Sequence, residues 1–269
     1  MRLVCPRLTR AKLTADLTAL GLARGDTVMV HTSLRAVGEI LGGPVELTEA
    51  ILAALGDDGT MMVYLGCPSP FDDLGRGIYD PADEAFIHVH CPPFDPRHTP
   101  ASRDFGAYAE FFRGHPRARC SSNPGARMAA VGARADELTR DHPRDYGLGE
   151  RSPLARLVDL GGKLLLLGSD LDQVTLLHYA EARAPIPDKR TVRVRIPVAG
   201  AWHDVEEFDS SAGIVDWPDR FFATITEAFL AAGHARTARV GDATSHLLDA
   251  RALVDFAVPR MVAAAGKNS

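Results

Sequence analysis

The sequence predicts an α/β fold, in which helices cover both faces of a mixed, largely parallel β-sheet in a layered α/β/α arrangement. Short runs of β-branched and apolar residues at 26–34, 59–66 and 163–168 predict buried strands. A helical pattern separates the first two runs, and this order of strand, helix and strand favours parallel strands buried beneath helices. The composition, with 46% hydrophobic and 24% charged residues, is that of a globular protein.

The first helix is predicted from its cap and its spacing. Thr9 is a suitable N-cap, and Leu13, Leu17 and Leu20 follow at helical intervals up to Gly21. After the first strand, a glycine-bearing connection leads into a second helix. Similar patterns predict a short strand at 128–132 and helices at about 45–55, 104–113, 135–142, 152–162, 172–184, 219–233 and 249–266.

Two segments depart from this alternation. Residues 67–105 are rich in Pro, Asp, His and aromatic residues and show little periodicity, so we expect an ordered insertion that forms one wall of a site. Residues 190–212 alternate apolar and polar side chains, which predicts a half-solvated β-hairpin. We expect the chain, residues 1–269, to form a single domain that carries both segments.

Charge, cysteine content and the absence of long apolar runs disfavour a nucleic-acid-binding, secreted or membrane protein. With 30 basic and 35 acidic residues the formal net charge is −5, which disfavours a nucleic-acid partner. The start of the chain lacks the apolar core of a secretory signal, and no apolar run approaches the roughly 18 residues of a membrane span. Four cysteines without a CxxC pair favour a reduced, cytoplasmic protein without a membrane partner.

Polar residues follow three of the predicted strands at their carboxyl ends. Ligands of open parallel sheets bind outside these ends, so the side chains are expected around one crevice. The residues concerned are His31, Thr32, Ser33, Asp72, Asp73, Asp170, Asp172, Thr175 and His178.

The stretch from 172 to 184 places Thr175, His178 and Glu181 three residues apart in a helical pattern. Residues at this spacing share one helix face, so a hydroxyl, an imidazole and a carboxylate would project together. A helix cap with a buried core histidine is the alternative interpretation, because histidine is often partly buried. The convergence of polar strand ends near His178 favours the functional one.

Two other chemistries are compatible with the sequence. A thiol nucleophile would pair Cys67, Cys91 or Cys120 with His178, although most cysteines are small core residues. A zinc site would use His88, His90 and Cys91, with strand alternation aligning the two histidines, but no further ligand lies at a suitable spacing. No GxSxG, GxGxxG or P-loop motif is present, and we expect no metal.

Several longer stretches together resemble the aminoglycoside 3-N-acetyltransferases, antibiotic-resistance enzymes whose α/β fold differs from that of the GNAT acetyltransferases. The resemblance runs in order from about residue 10 to 260. It is carried by "GDTVMVHTSLRAVGEILGGP", "CSSNPGARMAAVG", "YGLGERSPLARLVDLGGKLLLLGSDLDQVTLLHYAE" and "VGDATSHLL".

The resemblance implies transfer of acetyl from the cosubstrate acetyl-CoA to the 3-amino group of a 2-deoxystreptamine ring. We expect direct transfer in a ternary complex, without an acyl-enzyme. It implies His178 as catalytic base, Thr175 beside the thioester, and a carboxylate behind the imidazole, for which we favour Glu206 over Asp209. The cofactor set implied by "HTSLRAVG" and "SSNP" is His31, Thr32, Ser33, Leu34, Arg35, Val37, Gly38, Ser121 and Asn123.

An aminoglycoside carries several ammonium groups, so carboxylates are expected to line its site, with Tyr64 stacking on a sugar ring. The expected substrate residues are Tyr64, Asp72, Asp73, Asp170, Asp172, Glu181 and Asp209. We expect a monomer or homodimer. A biosynthetic N-acetyltransferase of another amine and a non-catalytic CoA- or sugar-binding protein are the alternatives.

Two positions depart from the family pattern. Cys120 stands directly before the serine of "SSNP", where relatives usually have arginine, which puts a phosphate contact there in doubt. The second strand ends in "YLGC" rather than "YAGW", so an indole is missing from the expected substrate wall.

Overall fold

The structure, a computed structural model, describes residues 7–71, 73–198 and 200–266. A seven-stranded mixed sheet lies at the centre of this part of the chain. The strand order across the sheet is β3-β4-β2-β1-β5-β9-β8. The strands are β1 (Thr27–Thr32), β2 (Thr60–Tyr64), β3 (Arg119–Cys120), β4 (Met128–Gly132), β5 (Lys163–Leu167), β8 (Ala235–Val240) and β9 (Ala243–Asp249).

The three central strands are parallel, because β1 pairs with β2 on one side and with β5 on the other in the same direction. The outer pairings are antiparallel. As a result β3, β2, β1, β5 and β8 run one way and β4 and β9 the other. The predicted α/β class with a mixed sheet is confirmed.

Helices cover both faces of the sheet, and neighbouring strand residues point to opposite layers. Val28 and Val30 of β1 belong to one core cluster with α1, α3 and α5, whereas Met29 belongs to the other with α6 to α10. The helices are α1 (Arg10–Leu20), α2 (Leu34–Val37), α3 (Pro44–Leu55), α4 (Pro81–His90), α5 (Ala107–Arg113), α6 (Ala135–Thr139), α7 (Pro153–Asp159), α8 (Leu176–Arg183), α9 (Phe221–Ala231) and α10 (Ala250–Ala265).

Helix α1 shows why local sequence signals were sufficient in this region. The Thr9 hydroxyl accepts a hydrogen bond from the backbone N–H of Lys12 at 3.2 Å, and Gly21 ends the helix at φ 110°. Leu13 and Leu17 are fully buried against the sheet. Both predicted ends and the predicted buried face are confirmed.

The predicted hairpin forms a separate two-stranded sheet of β6 (Thr191–Val198) and β7 (Ala201–Phe208). Val194 and Val205 lie opposite each other in its register. Together with Ile196, their side chains are buried, so one face of the hairpin is apolar. This face roofs a cavity of the site described below.

Two regions differ from the sequence prediction. The segment before α10, for which the local pattern predicted no element, forms the edge hairpin β8–β9 with Gly241 and Asp242 as its turn. A two-residue Gly-Asp connection between alternating runs was the available signal. Residues 81–90, expected to be irregular, form α4, because Asp80 caps a helix that has Pro81 in its first turn.

Candidate active site

The carboxyl ends of β1 and β5 open into a cleft of about 350 Å³, here called the strand-end cleft. A volume of this size suits a small-molecule ligand. Its polar lining residues are His31, Thr32, Ser33, Tyr64, Asp104, Tyr108, Ser169, Asp170, Gln173 and Thr175.

Three polar atoms of this cleft are buried and have no hydrogen-bond partner among the described residues: His31 Nε2, Thr32 Oγ1 and Ser169 Oγ. Buried polar groups in folded proteins nearly always have partners, so a cluster of three unpaired atoms indicates a place prepared for a polar ligand. Burial lowers the pKa of His31 to about 4, so its ring is neutral at pH 7.

The turn after β1 positions the predicted cofactor residues differently from one another. The Ser33 hydroxyl caps α2 by accepting a hydrogen bond from Ala36 N at 3.3 Å. Ser33 also lines the strand-end cleft. The buried Val37 and the adjacent Gly38 instead contact the β8–β9 turn, where the Val37 carbonyl accepts from Asp242 N at 2.9 Å. His31, Thr32 and Ser33 therefore line the cleft, whereas Leu34, Arg35, Val37 and Gly38 form the short helix beside it.

Gly168, which follows β5, lies close to Ala36 of α2 and to Ala243 of β9 because it has no side chain. It adopts φ +62°, and an added Cβ would lie 2.5 Å from Ala36 Cβ and 2.9 Å from Ala243 Cβ. We expect Gly168→Ala to lower the free energy of unfolding by about 1–3 kcal/mol, because it combines a left-handed residue with overpacking. Urea denaturation would measure the loss. Gly161→Ala is the control, because Gly161 has a similar φ of +63° but an added Cβ there would meet no described atom within 4 Å. The difference between the two losses measures the steric cost at Gly168. Equal losses would show that there is no such cost.

His178 lies on α8, and its ring is fixed from behind by a carboxylate. Its Nδ1 lies 2.6 Å from Glu181 Oε2, and the other oxygen of Glu181 accepts a hydrogen bond from Trp217 Nε1 at 2.5 Å. The Glu181 side chain is 3% exposed and that of His178 25% exposed. In the neutral tautomer in which Nδ1 donates to Glu181, the other ring nitrogen, Nε2, is a hydrogen-bond acceptor.

The carboxylate expected behind His178 was therefore assigned to the wrong residue. Glu206 accepts the hydroxyl hydrogen bond of Tyr146, which raises the pKa of Tyr146 to about 12, and it faces Arg193 at 3.8 Å. Asp209 is buried and accepts from two backbone N–H groups of its own turn, at 3.1 and 2.9 Å. Glu181, expected to bind substrate, occupies the orienting position instead and has both oxygens engaged.

Beneath the apolar face of the β6–β7 hairpin lies a second cavity of about 140 Å³, here called the hairpin cavity. His178 and Glu181 contribute to its wall, and Tyr64 and Phe105 line both this cavity and the strand-end cleft. The imidazole thus lines the hairpin cavity, which adjoins the strand-end cleft at Tyr64 and Phe105. The hairpin cavity is also lined by Arg76, Asn123, Arg144, Val194, Ile196, Val205 and Glu207.

Glu207 is a site residue that the sequence reasoning missed. It lines the hairpin cavity and accepts a hydrogen bond from Gly147 N at 2.8 Å. Burial raises its pKa to about 7. Strand alternation in "VEEF" was the available signal, because Val205 and Glu207 must share the buried face while Glu206 points to the other side.

Ser121 and Asn123, expected to contact the cofactor, are buried and satisfied by the protein itself. The Ser121 hydroxyl accepts from Met128 N at 2.9 Å and contacts His142 Nδ1 at 2.9 Å. Asn123 Nδ2 donates to the carbonyl of Pro143 at 2.7 Å. Ser121 and Asn123 therefore hold the 142–147 loop in place. Of the two, only Asn123 lines a cavity, the hairpin cavity.

The aspartates expected to bind substrate are used in several ways. Asp170 lines the strand-end cleft but pairs with Arg220 at 2.9 Å, and Asp172 accepts from Ala223 N at 2.9 Å near the start of α9. Asp73 accepts the hydroxyl hydrogen bond of Ser69. Asp72 lies outside the described residues. Asp73, Asp170 and Asp172 are thus each engaged by a partner within the protein.

Tyr64 and Thr175 lie where the sequence reasoning expected them, at the carboxyl end of β2 and the start of α8. The Tyr64 hydroxyl donates to Gly125 O at 2.8 Å, and its ring meets Phe105 edge to face at 4.5 Å. Thr175 lines the strand-end cleft and also a groove beside His178, and its side chain makes no capping hydrogen bond.

Arg127 organises the segment that walls the site, and no sequence motif revealed it. Its side chain is fully buried and donates to the carbonyls of Gly66 at 2.9 Å, Thr99 at 2.7 Å and Pro96 at 3.2 Å, and also to Pro100. Because these carbonyls come from both ends of the 66–100 segment, one guanidinium closes the loop.

The thiol and zinc alternatives find no support in the geometry. Burial raises the pKa of Cys91 and of Cys120, which disfavours the reactive thiolate. His88 and His90 lie on a helix rather than a strand, and His88 stacks on Trp202 at 5.0 Å. Among the described residues, no group of three or more His, Cys, Asp or Glu side chains could hold a metal ion.

A helix that crosses a membrane must be both long and apolar. This criterion applies here to the helices within residues 7–71, 73–198 and 200–266. None of them has both the length and the apolar character that a membrane crossing needs.

Comparison with known proteins agrees with the resemblance found in the sequence. Residues 29–262 match the family model of aminoglycoside 3-N-acetyltransferase. Aminoglycoside N(3)-acetyltransferase VIII of Streptomyces fradiae is 42% identical over 273 residues, which cover 96% of this chain and 95% of that protein.

Two solved structures share the fold over nearly their whole length. AAC-IIIb in a binary complex with CoASH superposes with a TM-score of 0.88 at 44% identity, covering 94% of this chain and 96% of that one. AAC-VIa bound to sisomicin superposes with a TM-score of 0.89 at 36% identity, covering 96% and 98%. The chain therefore belongs to the aminoglycoside 3-N-acetyltransferase family and is an acyltransferase.

Proposed function

We propose that this enzyme transfers the acetyl group of acetyl-CoA to the 3-amino group of the 2-deoxystreptamine ring of aminoglycosides. The observation that carries the proposal is the position of His178, which lines the hairpin cavity and whose Nδ1 is fixed by a buried carboxylate at 2.6 Å. This cavity adjoins the strand-end cleft at Tyr64 and Phe105. A base beside the amine, with the acyl donor bound in the adjoining cleft, is what a direct acyl transfer requires.

The strand-end cleft suits the acyl donor. Its unpaired polar atoms on His31, Thr32 and Ser169 offer hydrogen bonds to the amide and carbonyl groups of a pantetheine thioester. A related enzyme, AAC-IIIb, binds CoASH. The exposed Arg35 lies one turn away on α2, where it would meet a phosphate group of the same molecule.

The hairpin cavity suits the amine. It combines the carboxylate of Glu207 with an apolar wall of the β6–β7 hairpin, and His178 contributes to the same lining. AAC-VIa, a related enzyme, binds the aminoglycoside sisomicin. A cationic sugar with both charged and apolar faces fits such a surface.

The proposed reaction needs one proton to be moved. An amine must be neutral to attack, and His178 Nε2 accepts its proton as the nitrogen bonds to the thioester carbon. The tetrahedral intermediate then collapses, the carbon–sulfur bond breaks, and the imidazolium returns the proton to the departing thiolate. The products are the N-acetyl amine and CoASH, so no acyl-enzyme is needed.

Glu181 and Thr175 assist in different ways. Glu181, held by Trp217 on its other oxygen, fixes the tautomer of His178 and stabilises the imidazolium. The Thr175 hydroxyl, which lines the strand-end cleft and makes no capping bond, would donate to the developing oxyanion.

Mass spectrometry of products from a mixed aminoglycoside pool with acetyl-CoA tests the proposal. We expect a mass gain of one acetyl group, located on the 3-amino nitrogen, together with release of CoASH. Turnover of a different amine, with all aminoglycosides unmodified, would identify a biosynthetic N-acetyltransferase instead. Tight binding of acetyl-CoA without turnover of any amine would identify a non-catalytic binding protein.

A further inference from the structure

The ring of Phe105 lies where three spaces of the site meet. It lines the strand-end cleft, the hairpin cavity and a groove bounded by Thr175, His178 and residues 217–222, here called the outer groove. Among the described residues, only Tyr64 and Phe105 line all three spaces. Their rings meet edge to face with centroids 4.5 Å apart. The aromatic pair is therefore the boundary that the three spaces share.

The two rings of this boundary are held in different ways. Tyr64 ends β2, packs against the core and donates its hydroxyl hydrogen bond to Gly125 O at 2.8 Å. Phe105 ends a single helical turn, Arg103–Phe105, and is 43% exposed. Core packing therefore explains the position of the tyrosine ring but does not explain an exposed phenylalanine ring at the centre of the site.

The backbone beneath the Phe105 ring is shaped to receive it. Gly66 has a φ of +54°, and an added Cβ there would lie 2.5 Å from Phe105 Cε2 and 3.0 Å from Cδ2. The Gly66 carbonyl accepts a hydrogen bond from Arg127 Nε at 2.9 Å, so the glycine is fixed in place. The ring thus packs against bare backbone at the end of β2, in contact with the site.

A base that deprotonates an amine can also deprotonate water. The His178 side chain is 25% exposed, so its own burial does not protect it from solvent. Water is far more concentrated than any amine, and a thioester bound near this imidazole would be hydrolysed if water reached both groups. Enzymes prevent such side reactions by excluding water from the site.

We propose that the Phe105 ring keeps water away from His178 and the bound thioester, so that acetyl-CoA is consumed only when an amine occupies the hairpin cavity. The inference rests on the proposed function, because it takes His178 as the base and the strand-end cleft as the donor site. It concerns what the enzyme does in the absence of an amine, which the acetylation reaction itself leaves open.

The reaction that the ring suppresses is hydrolysis of acetyl-CoA. The oxygen of water bonds to the thioester carbon while His178 Nε2 takes one of the two protons. The carbon–sulfur bond then breaks, and the imidazolium returns this proton to the departing thiolate. The products are CoASH and acetic acid, which ionises to acetate, so no further reactant is needed.

Phe105→Ala, assayed with acetyl-CoA alone, tests the proposal. A positioned base accelerates attack by about 10²–10⁴-fold, and a water molecule that the site does not hold gains only part of this. We therefore expect the rate of CoASH release without amine to rise about 10- to 100-fold, with equal formation of acetate. Phe111→Ala is the matched control, because Phe111 is similarly exposed, at 47%, and lines none of the three spaces.

Two further measurements separate water exclusion from a purely structural role. Phe105→Ala combined with His178→Gln should lose the added hydrolysis, because that hydrolysis depends on the imidazole. With aminoglycoside present, each CoASH released by wild-type enzyme should correspond to one acetylated amine. Phe105→Ala should release more CoASH than acetylated amine at low aminoglycoside concentrations, and the excess should shrink as the amine fills the cavity.

The outcomes distinguish this inference from the function on which it rests. A Phe105→Ala variant that hydrolyses acetyl-CoA no faster than wild-type enzyme would overturn the inference, even if its aminoglycoside KM rises, because the ring would then serve as a contact for the amine. Added hydrolysis that persists in the double variant would also overturn it. The hydrolysis assay needs no aminoglycoside, so it remains decisive if wild-type enzyme acetylates none and the proposed function fails. If Phe105→Ala does not fold, Phe105→Leu, which lacks the planar ring, is expected to raise hydrolysis in the same direction, and an unchanged rate would overturn the inference.

Discussion

Replacing His178 by glutamine is expected to lower kcat for aminoglycoside acetylation by about 10²–10⁴-fold, the usual contribution of a positioned general base. The expectation follows from the geometry of a partly exposed imidazole whose Nδ1 is fixed by Glu181 at 2.6 Å, leaving Nε2 to take the proton of the amine. The KM for acetyl-CoA should change little, because His178 does not line the strand-end cleft. Release of CoASH, followed with a thiol reagent, measures both parameters.

Two further variants locate the effect. Glu181→Gln removes the negative charge behind the ring, so kcat should fall while the fold keeps its contact with Trp217. His98→Gln, a change of an exposed histidine outside the cavities, should leave kcat within about twofold. If His178→Gln retained kcat within tenfold of wild type, the enzyme would not use this imidazole as its base, and the proposed mechanism would be wrong.

Replacing Arg127 by methionine is expected to lower the free energy of unfolding by about 3 kcal/mol or more, the largest stability effect expected here. Methionine preserves much of the buried volume but leaves the carbonyls of Gly66, Thr99 and Pro100 without their donor. Each buried acceptor that loses its partner costs about 1–3 kcal/mol. Urea denaturation at pH 7 gives the loss directly.

The same change should also loosen the site wall. Hydrogen exchange is expected to accelerate within the 66–100 segment, because Arg127 connects its two ends. Arg103→Met, at an exposed position just beyond that segment, is the control and should change stability by less than about 0.5 kcal/mol. A loss below 1 kcal/mol for Arg127→Met would show that water or neighbouring groups replace the guanidinium without cost.

Helix ends and buried strands were accessible from the sequence wherever the signal was local. The N-cap at Thr9, the glycine stop at Gly21 and the apolar runs of β1, β2 and β5 each depend on a few neighbouring residues. Helix α4 was missed although Asp80 and a following proline form a capping signal and Ala82, Ala85, Phe86 and Val89 follow at helical spacing, because the segment around it is rich in Pro, Asp and His and was interpreted as irregular. In the structure α4 has no buried residue.

The site was predictable in its location and only partly in its assignments. The carboxyl ends of β1 and β5 do bring His31, Thr32 and Ser33 to one cleft, as expected for parallel strands. The carboxylate behind His178 was assigned to Glu206, yet Glu181, three residues along the same helix, holds that position. The three-residue spacing of His178 and Glu181 on one helix predicted this pair. The family resemblance, which implied a carboxylate near Glu206, predicted it less well.

The sequence by itself determined the α/β class, the succession of most helices and strands, the family and the histidine at the centre of the site, because these depend on local periodicity, caps and extended motifs. The tertiary structure alone decided which buried polar side chains are satisfied by the protein and which are open to a ligand. Ser121 and Glu207 illustrate the difference: both follow or lie within strands, yet one is bonded to His142 and the other faces a cavity. The reason is physical, since hydrogen-bond satisfaction and the pKa of a buried carboxyl depend on partners far away in the chain.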